Sequence, residues 1–279
     1  MTSPVGTCYV VATPIGNLGD FSARAVETLQ RCAVIAAEDT RRTRQLLSHF
    51  GVTGKDLIAL HEHSSARDVL RVIERLRAGE DVALVTDAGT PVVSDPGDAL
   101  IAAAAEAGVR VVPIPGASAV LAALSGSGFS GGFRFIGFLP REPRPRAVAI
   151  AKACDEPDAV VLFESANRLV ETLRELAAAT PARRACVARE LTKMHEEFVR
   201  GTLVELAALS REWMGEITIV LGAHDPGSRE ATIDDASIDA RIDEELRAGT
   251  HPKRISEMIS AWSGRPKREI YERVVRKKG

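Results

Sequence analysis

Long apolar stretches are missing from this 279-residue sequence. No run approaches the roughly 18 residues that suggest a membrane span, so no membrane association is expected. The start, Met1-Thr2-Ser3-Pro4-Val5-Gly6, lacks a basic segment followed by an apolar one, so no secretory signal is read there. Paired cysteines are missing too. Cys8, Cys32, Cys154 and Cys186 lie far apart in apolar surroundings, and none forms a CxxC pair. They read as reduced core thiols in a cytoplasmic protein. Charge of one sign is not in excess: the formal net charge is -2, so any polyanionic partner must be held by local basic patches. Four familiar motifs are absent as well. The turn Pro14-Ile15-Gly16-Asn17-Leu18-Gly19 is neither a dinucleotide fingerprint nor a Walker loop. No serine sits in a GxSxG elbow. His61 and His63 have no cysteine partners, so no metal site is expected.

What is present is alternation. An apolar content of 45% is enough for packed cores, and the length allows one large domain or two ordinary ones. Cys8–Ala12, Ala33–Ala37, Asp56–Leu60, Val82–Val85 and Val109–Ile114 read as short strands. Between them, Ala25-Val26-Leu29-Cys32, Leu46-Leu47-Phe50, Val69-Leu70-Ile73-Leu76 and Ala99–Ala107 read as helices. Ser22 and Ser64 are placed to cap, and Gly51 and Gly79 to end, three of them. This pattern implies a largely parallel sheet covered on both faces. Turn chemistry concentrates in Thr86–Gly97, directly after the fourth strand. Open α/β sheets bind ligands at such strand ends. Gly89 permits close approach of another group, Pro91 stiffens the loop, and Ser94–Gly97 shapes the path into the next helix. A second such loop, Pro115–Ala119, follows the fifth strand.

Ser125–Gly132 reads as a hinge, and the boundary between two α/β units falls between Pro115 and Gly132. Phe133–Leu139, Val160–Phe163 and Ala185–Ala188 read as further strands, with the last strand inside Trp213–Leu221. Fewer helices per strand suggest a mixed sheet here. Pro140–Arg146 carries Arg141, Arg144 and Arg146 among three prolines and reads as an exposed basic loop rather than helix. From Arg229 the composition shifts: Glu230–Glu245 is acidic and His251–Gly279 basic. Two short helices around Gly264-Arg265-Pro266 are expected, forming either a packing flap or an RNA-contacting arm.

Polar groups recur at the ends of the expected strands: Glu38-Asp39, His61-Glu62-His63, Asp87 with Thr90, Ser118, Glu164-Ser165 and Arg189-Glu190. Within a parallel sheet such ends converge. In their order along the chain, Val11–Asp20, Ala37–Arg41, His61–His63, Asp87–Pro91 with Ser94–Gly97, and Ala188–Lys193 with His195-Glu196-Glu197 closely resemble the bacterial 16S rRNA (cytidine-2'-O)-methyltransferases of the tetrapyrrole methylase-like superfamily. The resemblance covers about residues 8 to 222, and Gly264–Val275 is similar to the family's tail. Two segments depart. Phe163-Glu164-Ser165-Ala166-Asn167-Arg168 stands where the family shows Tyr-Glu-Ser-Pro-His-Arg, which weakens any role for Asn167. Pro115–Ala119 has Ala117 where proline is usual.

The resemblance implies an α/β protein of two α/β domains, with S-adenosylmethionine in the cleft between them, plus a small C-terminal helical extension. The divisions are 1–117, 118–226 and 227–279. It implies a homodimer acting on 16S rRNA of the 30S subunit, where a ribose 2'-oxygen attacks the sulfonium methyl. Carried onto this sequence, the cofactor residues are Pro14, Asp87, Gly89, Thr90, Pro91, Ser94, Ser118, Ala119, Phe163 and Leu191. Asp39, His63, Glu190 and Lys193 are candidates for proton removal, Lys193 only if burial or cationic neighbours lower its pKa. Arg41, Arg42, Arg141, Arg144 and Arg189 are candidates for phosphate contacts. Two alternatives stand beside this reading. One is methylation of a tetrapyrrole or another small molecule; the other is a non-catalytic ribosome-binding protein.

Overall fold

The computed structural model describes residues 5–61, 63–224, 235–263 and 265–278. The Met1–Pro4 start, Glu62, the composition shift at Arg229 and the turn residue Gly264 lie outside the described residues.

The first five strands are β1 (Thr7–Val11), β2 (Val34–Ala37), β3 (Asp56–Ala59), β4 (Val82–Val85) and β5 (Arg110–Ile114). They form one parallel sheet in the order β3-β2-β4-β1-β5. The connections carry α1 (Ala23–Arg31), α2 (Thr40–His49), α3 (Ala66–Arg77) and α4 (Asp98–Glu106). Every residue of β2 and β4 is buried, as expected for central parallel strands. Successive side chains point to opposite faces, so one strand feeds two cores. Val34, Ala36, Val82 and Leu84 pack with Val72, Ile73 and Leu76 of α3 and Leu100 of α4. Ile35, Ala37, Ala83 and Val85 pack with Leu29 of α1 and Leu47 of α2.

The chain continues through α5 (Ala119–Ser127), β6 (Phe133–Phe138), α6 (Pro143–Asp155), β7 (Ala159–Ser165) and α7 (Ala166–Ala179). Then come β8 (Arg184–Arg189), β9 (Glu197–Thr202), α8 (Leu203–Ala207) and β10 (Glu216–Leu221). The second sheet has the order β6-β7-β10-β8-β9 and is mixed, with β6 and β7 parallel and the other pairs antiparallel. Val160, Leu162, Val187 and Ile219 face α6, α7 and α8. Val161, Cys186, Ala188 and Val220 face the opposite way, toward Val120 and Ala123 of α5. Ile15, from the connection after β1, joins this last cluster. Both sheets thus belong to one compact unit ending at His224.

Several expectations are corrected. The Pro140–Arg146 stretch is not an exposed loop throughout, because α6 starts at Pro143. Pro143 and Pro145 fall in its first turn, where backbone N–H groups have no helical partner and proline costs little. Arg146 is buried rather than exposed. Ser65, not Ser64, starts α3: Asp68 Oδ2 accepts both its N–H and its hydroxyl at 2.8 Å. Ser64 Oγ instead accepts the N–H of His61 at 2.8 Å. Strand β9 was not expected; its charged, half-buried edge pattern carries little apolar signal.

The second unit, described by itself, has three helices rather than two: α9 (Asp235–Arg247), α10 (Pro252–Ser263) and α11 (Lys267–Lys278). Ile238, Ile242, Ile255, Ile259, Ile270 and Val274 form its core. The acidic stretch is itself a helix, and its charges meet the basic ones. Arg273 pairs with Asp235 at 2.7 Å and Lys277 with Asp243 at 2.8 Å. The composition shift therefore reflects two stretches neutralising each other inside one small bundle. No helix among the described residues is long and apolar enough to cross a membrane.

Candidate active site

The carboxyl ends of the parallel strands do converge. Thr13 N–H donates to Gly89 O at 2.8 Å, and Gly89 N–H donates back to Thr13 O at 3.1 Å. The buried Thr13 hydroxyl donates to Thr86 O at 3.0 Å. Gly89 has φ +89°, and a Cβ there would lie 3.4 Å from Ile15 Cγ2. Its backbone groups are thus used within the fold; what it offers a ligand is the missing side chain. Thr90 Oγ1 donates to Ala117 O at 3.2 Å, tying the two Gly/Pro loops together. Val92 (φ 75°) and Ser94 (φ 63°) adopt left-handed backbone, which is rare for a β-branched residue. Gly97 stands at the N-cap of α4, so neither Thr90 nor Ser94 caps it.

Between this loop and the second sheet lies a cavity of about 420 Å3. That size suits a small molecule. Gly89, Thr90, Ser94, Ser118, Ala119, Phe163 and Leu191, all expected at the cofactor, line it. Pro14 and Asp87 instead line an adjoining cavity of about 290 Å3, with Arg42, Lys193 and Glu216. Pro91 is buried in the loop and lines neither. A third, outer chamber of about 760 Å3 shares Ser94, Asp95 and Phe138 with the first cavity. Sequence reasoning missed Ile15, Asp95, Phe138 and Thr218 as cavity residues. Asp95 carried a usable signal, an acid inside the Gly/Pro loop, but was assigned to shaping the path into α4. Phe138 and Thr218 look like ordinary strand residues in sequence.

The first loop gathers acids. Glu38 Oε2 accepts the Thr86 hydroxyl at 2.6 Å and the Asp87 N–H at 3.1 Å. Asp87 Oδ1 accepts the Asp39 N–H at 3.1 Å, and Oδ2 faces Arg42 at 3.2 Å. Burial, then the neighbouring Glu38 charge, pushes the Asp87 carboxyl up. Burial pushes Asp95 up to about 6; the Thr86 hydroxyl works against this, while Glu38 and Asp87 reinforce it.

The loop between β8 and β9, the second to wall the cavity, balances its charges. Glu190 Oε1 accepts Lys193 Nζ at 2.9 Å and the Glu216 N–H at 2.9 Å. Lys193 also reaches Glu216 at 2.8 Å. Burial draws the ammonium down, but its hydrogen bonds to Glu190 and Glu216, with their charge, leave its pKa raised. The condition for Lys193 as a base, a lowered pKa, is not met in this arrangement. Asp39 caps α2 by accepting the Arg41 N–H at 2.8 Å and pairs with the Arg41 guanidinium at 3.0 Å. The guanidinium bond, then the backbone bond, holds its carboxyl at about 2. His63 is exposed and lines none of these three cavities. Arg189 is held by Glu197 at 3.3 Å. Arg141 and Arg144 are exposed at the start of α6.

Behind Phe163 the wall is fixed by a buried network. Glu164 accepts the Ser165 N–H at 2.8 Å and the Thr172 hydroxyl at 2.7 Å. Arg146 donates to the same Thr172 hydroxyl at 2.8 Å and pairs with Glu175 at 2.6 Å. This explains why Arg146 turns inward.

Comparison with known proteins identifies the family. Residues 7–207 match the family of tetrapyrrole (corrin/porphyrin) methylases. The chain belongs to that family and is a methyltransferase. Its curated relatives include the ribosomal RNA small subunit methyltransferase I of Xylella fastidiosa, 44% identical over 97% of this chain and 99% of the relative. The protein of the same name from Micromonospora olivasterospora is 43% identical over 96% of this chain and 86% of the relative. Among solved structures, uroporphyrin-III C-methyltransferase from Thermus thermophilus, complexed with S-adenosyl homocysteine, shares the fold. It has a TM-score of 0.53 and 20% identity, over 78% of this chain and 97% of that one.

Proposed function

We propose that the protein transfers a methyl group from S-adenosylmethionine to the ribose 2'-oxygen of a cytidine in 16S rRNA of the small ribosomal subunit. The observation that carries this is the cavity walled by loops of both sheets, in a chain whose near-full-length relatives are named small subunit rRNA methyltransferases. The lining suits the cofactor: apolar Ile15, Val120, Phe163, Leu191 and Ile217 beside the acid Asp95, a set that would accept an adenosine and balance a cationic group. Gly89, Thr90, Ser94, Ser118, Ala119, Phe163 and Leu191 would hold it, with Asp87 and Pro91 supporting from the same loop as Gly89 and Pro14 from the connection after β1. When bound, it supplies a methyl group already activated by the positive charge on sulfur.

The chain's own tasks are then alignment and proton removal. Asp39, Glu190 and Lys193 are each engaged in ion pairs, and His63 lines none of the three cavities. Asp95, where the cofactor cavity meets the outer chamber, is the carboxylate we assign to the ribose hydroxyl proton. Arg41, Arg42, Arg141 and Arg144 are the proposed phosphate contacts; Arg189 serves the second loop through Glu197. Two α/β domains divided at 117/118, followed by an appended helical unit and assembled as a homodimer, complete the reading. The test uses labelled S-adenosylmethionine and 30S subunits from a strain lacking its own enzyme. Label on one ribose of 16S rRNA is expected. Cofactor binding without RNA labelling overturns the rRNA assignment in favour of a small-molecule acceptor.

A further inference from the structure

We propose that the outer chamber is a nucleoside subsite, in which the exposed ring of Phe138 stacks on the target cytosine and the Glu38 carboxylate reads its amino group. This rests on the rRNA reading above and adds the residues that select the base.

The chamber, about 760 Å3, opens onto the cofactor cavity through Ser94, Asp95 and Phe138. Phe138 is 59% exposed although it ends a strand of the second sheet. The strand register shifts between Phe135 and Phe138, and Gly137 has φ +66°. Bulges of this kind re-aim a side chain and recur beside active sites. Phe163 backs the Phe138 ring at 5.5 Å, and Phe135 backs Phe163 at 4.9 Å. The exposed ring is therefore propped from behind and held ready, as a stacking platform must be. Sequence-specific readers of RNA stack splayed bases on such rings.

The smaller adjoining cavity does not compete for this role. Its cations Arg42 and Lys193 are paired with Asp87, Glu190 and Glu216. In the outer chamber, Glu38 uses only Oε2 in its hydrogen bonds among the described residues. Oε1 remains to accept a hydrogen bond from an amino group. Cytosine presents that donor at its exocyclic nitrogen, whereas uracil presents a carbonyl oxygen that a carboxylate repels.

The experiment compares wild type, Phe138→Ala, Phe138→Trp and Glu38→Gln on 30S subunits lacking the methyl group. The subunits carry cytidine or uridine at the ribose that the wild type labels. Cofactor affinity is measured separately by calorimetry. Phe138→Ala should raise the KM for subunits about tenfold, well beyond any change in cofactor Kd, and Phe138→Trp should restore it. Glu38→Gln should narrow the preference for cytidine over uridine. An unchanged KM in Phe138→Ala, a KM rise matched by an equal rise in cofactor Kd, or an unchanged preference in Glu38→Gln overturns the proposal while the rRNA reading stands. A wild type that leaves the RNA unlabelled overturns both.

Discussion

Two loops wall the cavity, one from each sheet, and both bend through left-handed backbone at residues other than glycine. Val92 and Ser94 do so in the loop after β4; Glu190 and Thr192 do so in the loop after β8. Strain of this kind is held only where surroundings enforce it, and it clusters at functional sites. The loops differ in how their charges are resolved. In the first, Asp87 and Asp95 have raised pKa values, chiefly from burial and near Glu38. In the second, Glu190 and Glu197 have lowered ones, chiefly from hydrogen bonds to Lys193 and Arg211. In the first loop Asp87 meets Arg42 but Asp95 has no ion pair among the described residues, whereas Glu190 and Glu197 of the second are both paired with cations. Under the proposed function, the first wall would face the cationic cofactor and the second would keep the cavity's shape.

Gly215→Ala should give the largest effect on this contrast. Gly215 has φ +84°, and an added Cβ would overlap the Glu190 carboxylate, which Lys193 and Glu216 hold in place. We expect a loss of about 3 kcal/mol in urea unfolding, combining backbone strain with displacement of that carboxylate. Gly89→Ala meets Ile15 at 3.4 Å and Ala117 O at 4.0 Å, ordinary contacts, so about 1 kcal/mol is expected there from the backbone alone. Gly89→Val should further weaken cofactor binding by roughly tenfold or more, since a 1.4 kcal/mol clash suffices for that. Equal losses in the two alanine variants would erase the distinction between a pinned and an open loop.

The next test is pH. The Asp95 carboxyl titrates near 6 in the fold but near ~3.9 in the unfolded chain. Between these values the folded state binds more protons, so stability contributed at this position falls as pH rises from about 4 to 6. Glu197 is the reverse: held at about 2 in the fold, it contributes stability above its ordinary pKa and loses it as pH falls from about 4.5 to 2. Thermal unfolding across pH should lose the upper slope in Asp95→Asn and the lower slope in Glu197→Gln. Lys193→Arg should keep methyl transfer, because the second loop needs a cation rather than a base; loss of transfer there, with the fold intact, would return Lys193 to the list of bases. The smallest effect is expected from Arg41→Ala. Its guanidinium is 84% exposed and pairs only with Asp39 among the described residues, so stability should be unchanged. The salt dependence of RNA binding should fall by about one unit of slope if Arg41 contacts phosphate.

The parallel sheet was legible in the sequence because each of its strands is a short apolar run between turn residues. The second sheet was less so. β9 carries Glu197 and Arg200 on a half-buried edge, and α6 hides behind Pro143 and Pro145, whose helix-breaking reputation does not hold in a first turn. The loops that line the cavity could be found from Gly89, Thr90 and Ser118 at strand ends. Asp95, Phe138 and Thr218 could not be placed, since their roles come from a bulge and from pairing between distant strands. The charge state of Lys193 was likewise invisible, because Glu216 approaches it from a strand twenty-three positions later.

The bond from the Thr13 hydroxyl to Thr86 O spans 73 positions of sequence. The paired strands it ties, β1 and β4, have β2 and β3 between them along the chain. During synthesis the first loop cannot be fastened until three βα units have emerged, and Gly215–Thr218 of the cavity wall emerge later still. An unfinished or truncated chain therefore has no binding site to fill. A ligand that binds only the completed chain stabilises only that chain, by RT ln(1 + [L]/Kd). Under the proposed function, the cofactor would in this way protect finished molecules selectively against proteolysis, independent of any methyl group transferred.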